Sequence, residues 1–398
     1  MTWTLALALL PWVVALLVVT LGVREPPALR EASGERGPAA GRWPSVRIIV
    51  PARDEARSVG RCVGSLAEQD YPDFRIVVVD DRSTDETAQL AREVSRGNAK
   101  AIEVRAGAPL PPGWFGKPWA CAQGSAGAEE DLLLFTDADT VHSPSALLRS
   151  VSALTDDLSA LSLLGRQELG SVGERLVQPQ MFTILGLRFR RMDRPLGRGD
   201  RGNAIANGQY ILVRRAAYEG IGGHGAVRGE VAEDLRLAQE LTGAGHLLAL
   251  CRADDALSTR MYRSLGEVMN GWTKNVAIGA GQSAGRWGGI ALVGMVVYAL
   301  GLWVAPPVTL VSAAALSLLD APASPAVLTW ALGATLAGLA AWSVAYRRFD
   351  VSPFYALLYP IGAALVAAIA VRSGWRGGRR VEWKGRRYSV DELTGESR

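Results

Sequence analysis

The chain has 398 residues, a formal net charge of +4, and only three cysteines and three histidines. Scattered cysteines without a CxxC exclude a disulfide framework and a thiolate zinc site, and so few histidines argue against a histidine-rich metal site. The charge excess sits in 372–398, with eight basic and four acidic residues; the neutral remainder argues against nucleic acid as a partner.

A mean hydropathy of +0.13 beside 21% charged residues places the apolar residues in blocks. The first, in 1–23, is uncharged from Trp3 to Val23 and approaches the roughly 20 residues that span a bilayer. It lacks a basic start and a small-x-small cleavage site, so it reads as a transmembrane anchor rather than a signal peptide. Residues 24–45, rich in Pro, Gly and charge, read as a linker.

Residues 46–260 have the composition of a globular domain. "VRIIVPARDE" is a buried strand ending in a turn, and "ARSVGRCVGSLAEQ" has helical spacing. "FRIVVVDDRSTDET" is a second strand, with Ser83-Thr84-Asp85 placed to cap a helix over 86–97. "AKAIEVRA" is a third strand, a helix follows around 118–130, and "DLLLFTDAD" is a fourth strand. Strands alternating with helices give an α/β fold with a mostly parallel sheet, whose ligands bind at the carboxyl ends of the strands.

Those ends carry Pro51 to Glu55, Asp80-Asp81 and Asp137-Ala138-Asp139. Asp80-Asp81 fits a plain strand end or a carboxylate that accepts hydrogen bonds from a base or ribose. Asp137 and Asp139 alternate, so they share a face in an extended chain and can meet one hard cation, with phosphates and water as its other ligands. "PPGWFGKPWACAQG" offers Lys117 near a phosphate or base, or simply a packed loop. "LGRGDRGN" contains a GxGxxG, but it follows no strand and opens no clear helix. Glu233-Asp234 starts a helix, where acids suit the helix dipole; a carboxylate held there is also placed to act as a general base.

Segments 173–192 and 261–286 are apolar or amphipathic with basic residues, as core helices or interfacial helices are. Residues 287–371 hold four further apolar blocks, or three if 306–319 is too short, since Pro306-Pro307 breaks the first long run. Arg24 and the basic tail, 372–398, both favour the cytoplasm, which requires an even number of C-terminal spans; with four, Arg347-Arg348 would face outward. The expected location is the cell membrane, multi-pass, with a cytoplasmic catalytic domain.

Four stretches, "IIVPARDE", "VVVDDRSTDET", "LLLFTDADTVH" and "VAEDLRLA", together resemble a family-2 glycosyltransferase of GT-A fold, with order and spacing preserved. "GWFGKPWACAQG", "GQYILVRRAAYEGIGGH", "STRMYRSLGEVMNGWTKN" and "VEWKGRRYS" resemble its membrane-bound branch, which includes hopanoid-associated and carotenoid glycosyltransferases. The resemblance implies a nucleotide-diphosphate sugar donor, UDP-linked by expectation, an inverting transfer to a lipid hydroxyl, and Mg2+ or Mn2+. It assigns Pro51, Ala52, Arg53, Glu55, Asp80, Asp81, Lys117 and Asp137 to the nucleotide sugar. Asp139, with Asp137, goes to the metal, and Asp234, beside Glu233, is the base. The Q-x-x-R-W motif of processive synthases is missing; Arg260, Arg263 and Trp272 stand in that region as candidates for the diphosphate or acceptor. The alternatives are a polyprenyl-phosphate or polysaccharide-building sugar transferase and, outside enzymes, an inactive membrane scaffold.

Overall fold

The computed structural model describes residues 2–30, 42–284, 287–319, 321, 323–376, 380–383 and 386–389. Residues 31–41 of the linker and most of the 372–398 tail lie outside the described residues.

Helix α1 (Thr2–Leu21) opens the chain. There follow β1 (Val46–Ala52), α2 (Val59–Ala67), β2 (Phe74–Asp80), α3 (Thr87–Arg92), β3 (Ile102–Ala106), α4 (Gly116–Ser125) and β4 (Leu132–Phe135). Next come β5 (Thr140–His142), α5 (Ala146–Ala153), β6 (Leu158–Leu164), β7 (Arg166–Gln167), α6 (Val172–Arg188), β8 (Ile211–Arg214) and α7 (Arg215–Gly220). Then come α8 (Glu233–Gly243), β9 (Leu247–Arg252) and β10 (Leu257–Thr259). Helices α9 (Leu265–Ala284), α10 (Gly288–Val297), α11 (Ala305–Ser317), α12 (Pro325–Arg347) and α13 (Tyr359–Arg376) complete the helical part.

Two compact units form. One comprises Glu25–Glu168, Arg191–Met261 and Arg379–Arg398; the other comprises Met1–Arg24, Leu169–Arg190 and Tyr262–Gly378. The sequence reading kept 46–260 in one piece. The observed division moves Leu169–Arg190 to the helical unit, because α6 buries Leu176, Val177 and Met181 in one core with Val19, Trp272, Trp342 and Ile369.

The first unit is built on a seven-stranded sheet of order β3-β2-β1-β4-β8-β6-β9. Strands β1 to β4 are mutually parallel, as the βαβ pattern requires; β1, β2 and β4 are mostly apolar on both faces, whereas the edge strand β3 alternates Ile102 and Val104 with Glu103 and Arg105. Strand β8 enters antiparallel to both β4 and β6, and β6 runs parallel to β9. Ile48, Val50, Ile76, Val78, Leu132, Leu134 and Leu212 form the buried centre. A second, three-stranded sheet has the order β5-β10-β7, its strand β5 following shortly after β4 in the chain. Helix α4 lies directly on β1: a methyl group at Gly124 would collide with Ile49 Cγ2 and stand 3.2 Å from Val79 Cγ2. Helix α3 is shorter than the expected 86–97. The chain leaves it at Glu93 and turns at Gly97 (φ 53°) towards β3.

Among the described residues four helical runs are long and apolar enough to cross a membrane: Trp3–Leu21, Gly288–Ser317, Pro325–Arg347 and Pro353–Trp375. The C-terminal region thus holds three such runs where four were expected. Pro306-Pro307 does not break the first. A π-type stretch, Tyr298–Val304, precedes the prolines, which then occupy the first turn of α11, where a missing N–H costs least.

Candidate active site

The loops after β1 and β2 are locked to each other. Asp54 (φ 51°) and Arg82 (φ 58°) both adopt left-handed backbone, a strained choice for such residues that persists only where surroundings enforce it. The enforcement is local. Arg53 Nη1 donates to the carbonyls of Asp81 (2.6 Å) and Arg82 (3.0 Å), and Asp54 accepts from the Thr84 N–H (2.7 Å). The Glu55 N–H donates to Thr87 Oγ1 (2.7 Å), and Asp85 takes the N–H groups of Ala56 and Thr87. Pro51 and Ala52 end β1 beside Asp80, and the Asp81 N–H bonds the Ala52 carbonyl (2.7 Å). Asp80 Oδ1 is buried with no hydrogen-bond partner, an acceptor awaiting a donor.

The Asp137–Asp139 turn is held from behind. Thr140 Oγ1 (2.7 Å) and Cys62 Sγ (3.4 Å) donate to the Asp137 carbonyl, and Thr259 Oγ1 to that of Asp139 (3.3 Å). His142 Nε2 lies 2.9 Å from Thr140 Oγ1; burial holds its pKa down at about 3, so it is a neutral structural group. Thr259 pairs with Thr140 at the last rung between β10 and β5, so Arg260 and Asp139 are the residues that follow just beyond that ladder.

At the centre stands Lys117, on the first turn of α4. Its ammonium lies 2.7 Å from Asp137 Oδ1 and 2.7 Å from Glu233 Oε1. Burial opposes its charge, but Asp137, Glu233 and Asp234 around it prevail, so it stays protonated well above its ordinary range. Asp234 takes no direct ion pair from Lys117. Its Oδ2 accepts the Gly208 N–H (3.0 Å) and its Oδ1 accepts the Leu235 N–H (2.7 Å).

Burial favours the neutral form of both neighbouring carboxyls. For Glu233 the Lys117 ammonium outweighs burial and holds it below its usual range. For Asp234, burial and then the negative charge of Glu233 push it up to about 6. Adjacent acids with separated proton affinities are the pattern that divides charge-bearing from proton-transferring roles. Asp137 is raised by burial, with Lys117 as the chief opposing influence and the negative charges of Glu233 and then Glu55 adding to the rise. The cavity formed here is lined by Lys117, Glu233, Asp234 and Gly208 together with Pro51, Phe135 and Ile211.

The structure therefore brings Pro51, Lys117, Glu233 and Asp234 to one cavity, with Asp137 joined to it through Lys117. Ala52, Arg53, Glu55, Asp80 and Asp81 stand at the β1 and β2 strand ends, and Asp139 and Arg260 just beyond the last rung of β5 and β10. Arg263 and Trp272 belong to the helical unit: Arg263 is exposed at the start of α9, where its N–H donates to Glu267 (2.8 Å). Trp272 is buried, its ring 5.6 Å from that of Phe182. Sequence reading overlooked Gly208. A methyl group there would stand 2.8 Å from Lys117 Nζ and 3.1 Å from Asp234 Oδ2, so a side chain at this position would push both charged groups aside. The available sign was Asn207-Gly208 just ahead of the β8 run.

Among the described residues no three His, Cys, Asp or Glu side chains cluster to hold a metal by themselves. Asp137 and Asp139 lie in a turn beyond β4 and not in the extended chain expected, and Asp137 already pairs with Lys117; as two hard oxygen donors they still fit a cation that takes its remaining ligands from water and phosphate.

The family described as "Glycosyltransferase like family 2" matches residues 44–269. The 4,4'-diaponeurosporenoate glycosyltransferase of Staphylococcus aureus strain USA300 is 26% identical over 364 residues, covering 87% of this chain and 89% of the relative. That of strain MRSA252 is 26% identical over 372 residues, with the same coverage. In fold, the chain is similar to a mannosyltransferase from Pyrobaculum calidifontis in complex with GDP-Man and Mn2+. That likeness has a TM-score of 0.56 at 20% identity, and spans 94% of this chain and 99% of the other.

Proposed function

Because the chain belongs to the glycosyltransferase-like family 2, with the GT-A fold, and is a glycosyltransferase, we propose that it moves a hexosyl group from a nucleotide-diphosphate sugar to a lipid acceptor by single inverting displacement. The observation that carries this reading is the division of labour around Lys117. One ammonium bridges Asp137 and Glu233, while Asp234, on separate backbone donors, is left to exchange a proton near neutral pH.

In this mechanism Asp80, Asp81 and Arg53 hold the base and ribose of a UDP-sugar, and Lys117 approaches the phosphates. A divalent cation, Mg2+ or Mn2+, would be held by Asp139 with Asp137 and would offset the charge developing on the departing nucleotide diphosphate. Asp234 accepts the acceptor's hydroxyl proton as its oxygen attacks the anomeric carbon; attack opposite the leaving group inverts the configuration, and no covalent enzyme intermediate is required. The low-affinity proton site on Glu233 keeps a negative charge next to Asp234 and so sustains its basicity. Arg260, Arg263 and Trp272 are assigned to the diphosphate or acceptor.

The apolar helices, and curated relatives named for a carotenoid substrate, support this acceptor class. A carotenoid, hopanoid or similar lipid sits in the bilayer while the donor is cytosolic, so the catalytic unit is placed at the cytoplasmic face of the cell membrane. The test is a donor screen on membrane fractions, with mass spectrometry to detect the glycosylated lipid. Transfer only to water-soluble acceptors, with lipid extracts ignored, overturns the lipid reading.

A further inference from the structure

We infer that the last long apolar helix, Pro353–Trp375, does not cross the bilayer but lies along the face at which α1 and α12 end, so that the chain crosses three times. This rests on α1 and α12 crossing, and not on the glycosyl-transfer reading.

The face is marked by basic residues. Helices α1 and α12 end together, since Arg348 donates to the carbonyls of Val19 (2.8 Å) and Thr20 (2.6 Å). Arg24, Arg347 and Arg348 thus gather at one end of the two spans.

Helix α6 stays at that end. Leu187 packs on Gly22 and Val23 on Gly186. About two to three turns earlier in α6, Gln180 Nε2 donates to Tyr346 Oη (3.1 Å), and Tyr346 Oη donates to the Leu176 carbonyl (3.1 Å). A helix that meets the ends of two spans at both of its own ends runs along the surface. Helix α9 joins it: Leu265 packs on Gly173, and the ring of Phe182 meets Trp272 and Phe349, each at 5.6 Å.

Helix α13 is tied to this layer at both ends. At its start, Gln180 Nε2 also donates to the Tyr359 carbonyl (3.1 Å). At its finish, Ser373 Oγ donates to the Thr273 carbonyl (2.7 Å) and Arg372 Nη2 to Asn270 Oδ1 (2.9 Å). Tyr359 to Ser373 is about 21 Å of helix at 1.5 Å per residue. A crossing helix would carry Ser373 that far towards the opposite face. Instead Ser373 meets α9 one residue from Trp272, whose ring reaches Phe349 through Phe182 alone. Burial agrees: 44% of this run is buried inside the protein, against 17%, 17% and 28% for the other three. What the run Pro353–Trp375 leaves exposed is a stripe through Leu357, Ile361, Val371 and Trp375, which suits the acyl boundary of that leaflet.

Charge placement follows. With two crossings after the catalytic unit, Arg24, Arg347, Arg348 and the basic tail all share one side, as the positive-inside tendency favours. A fourth crossing would strand the tail opposite the others.

The test uses the full-length protein in sealed native membrane vesicles and a membrane-impermeant maleimide. Single cysteines are introduced as Ala321→Cys between α11 and α12, Ser352→Cys before α13, and Ser397→Cys in the tail, with the parent chain as blank. The expected result is Ser352→Cys and Ser397→Cys labelled from one side and Ala321→Cys from the other. Labelling of Ser397→Cys together with Ala321→Cys overturns the inference, as does labelling of Ala321→Cys and Ser352→Cys from the same side. A second measurement places a fluorophore on Ile361→Cys or Val371→Cys and quenches it with depth-graded spin-labelled lipids. Equal depths are expected; a separation of about 15 Å, the rise of ten helical residues, overturns the inference.

Discussion

Replacing Lys117 with Met removes the one ammonium shared by Asp137 and Glu233 and leaves two largely buried carboxylates facing each other. Each ion pair is 2.7 Å long, with side-chain exposures of 23% for Lys117, 30% for Asp137 and 8% for Glu233. Removing one partner of a buried pair costs about 3–5 kcal/mol, because the other charge stays desolvated. At about 2–4 °C per kcal/mol for a domain of this size, Tm should fall on the order of 10 °C at pH 7.5. The sign of the pH dependence is fixed by which form suffers. The penalty belongs to ionised carboxylates, so it is full where both are charged and shrinks as pH falls and they take up protons. Thermal unfolding in detergent at several pH values reads this directly. Millimolar Mn2+ should recover part of the lost Tm in the variant, since a divalent cation supplies the missing positive charge. A Tm within a degree or two of the parent at pH 7.5 would refute the view that Lys117 holds the two acids.

With Asp234 raised to about 6, kcat/KM for the free enzyme should rise roughly tenfold per pH unit below that value and level off above it, because the base must be deprotonated to act; a flat profile from pH 5 to 8 counts against it. Gly208→Ala should lower kcat about a hundredfold with little loss of Tm, since the new methyl displaces Lys117 and Asp234 by a fraction of an ångström to an ångström. Chelation should abolish transfer and Mn2+ or Mg2+ should restore it, whereas Asp139→Asn should resist restoration at the same cation concentration, as activity titrations would show. An acceptor that attacks through an ionised carboxylate needs no base, so Asp234→Asn should lose at least about tenfold less rate on such an acceptor than on a hydroxyl.

The parallel half of the sheet was legible because buried parallel strands read as continuous Val, Ile and Leu runs, and the three acidic strand ends announced themselves by position. The antiparallel insertion of β8 between β4 and β6 was not. It joins segments some 50 to 80 residues apart, and nothing local to "YILVR" says which strands will flank it. Lys117 was visible as a cation near the site, but its bridge from Asp137 to Glu233 depends on α4 lying close on β1 through Gly124, a tertiary fact. Pro306-Pro307 misled in a different way. A proline pair normally stops a helix, yet a π-type turn ahead of it absorbs the mismatch, which is why three runs stand where four were expected.

The most direct test of the central claim, that Asp234 is the base and Lys117 with its two acids the charge frame, is a comparison of parent and Asp234→Asn on a hydroxyl-bearing lipid acceptor. Donor binding and transfer are measured on the same preparation. The expected result is unchanged donor affinity with transfer reduced by at least about a hundredfold. Turnover close to that of the parent would contradict it.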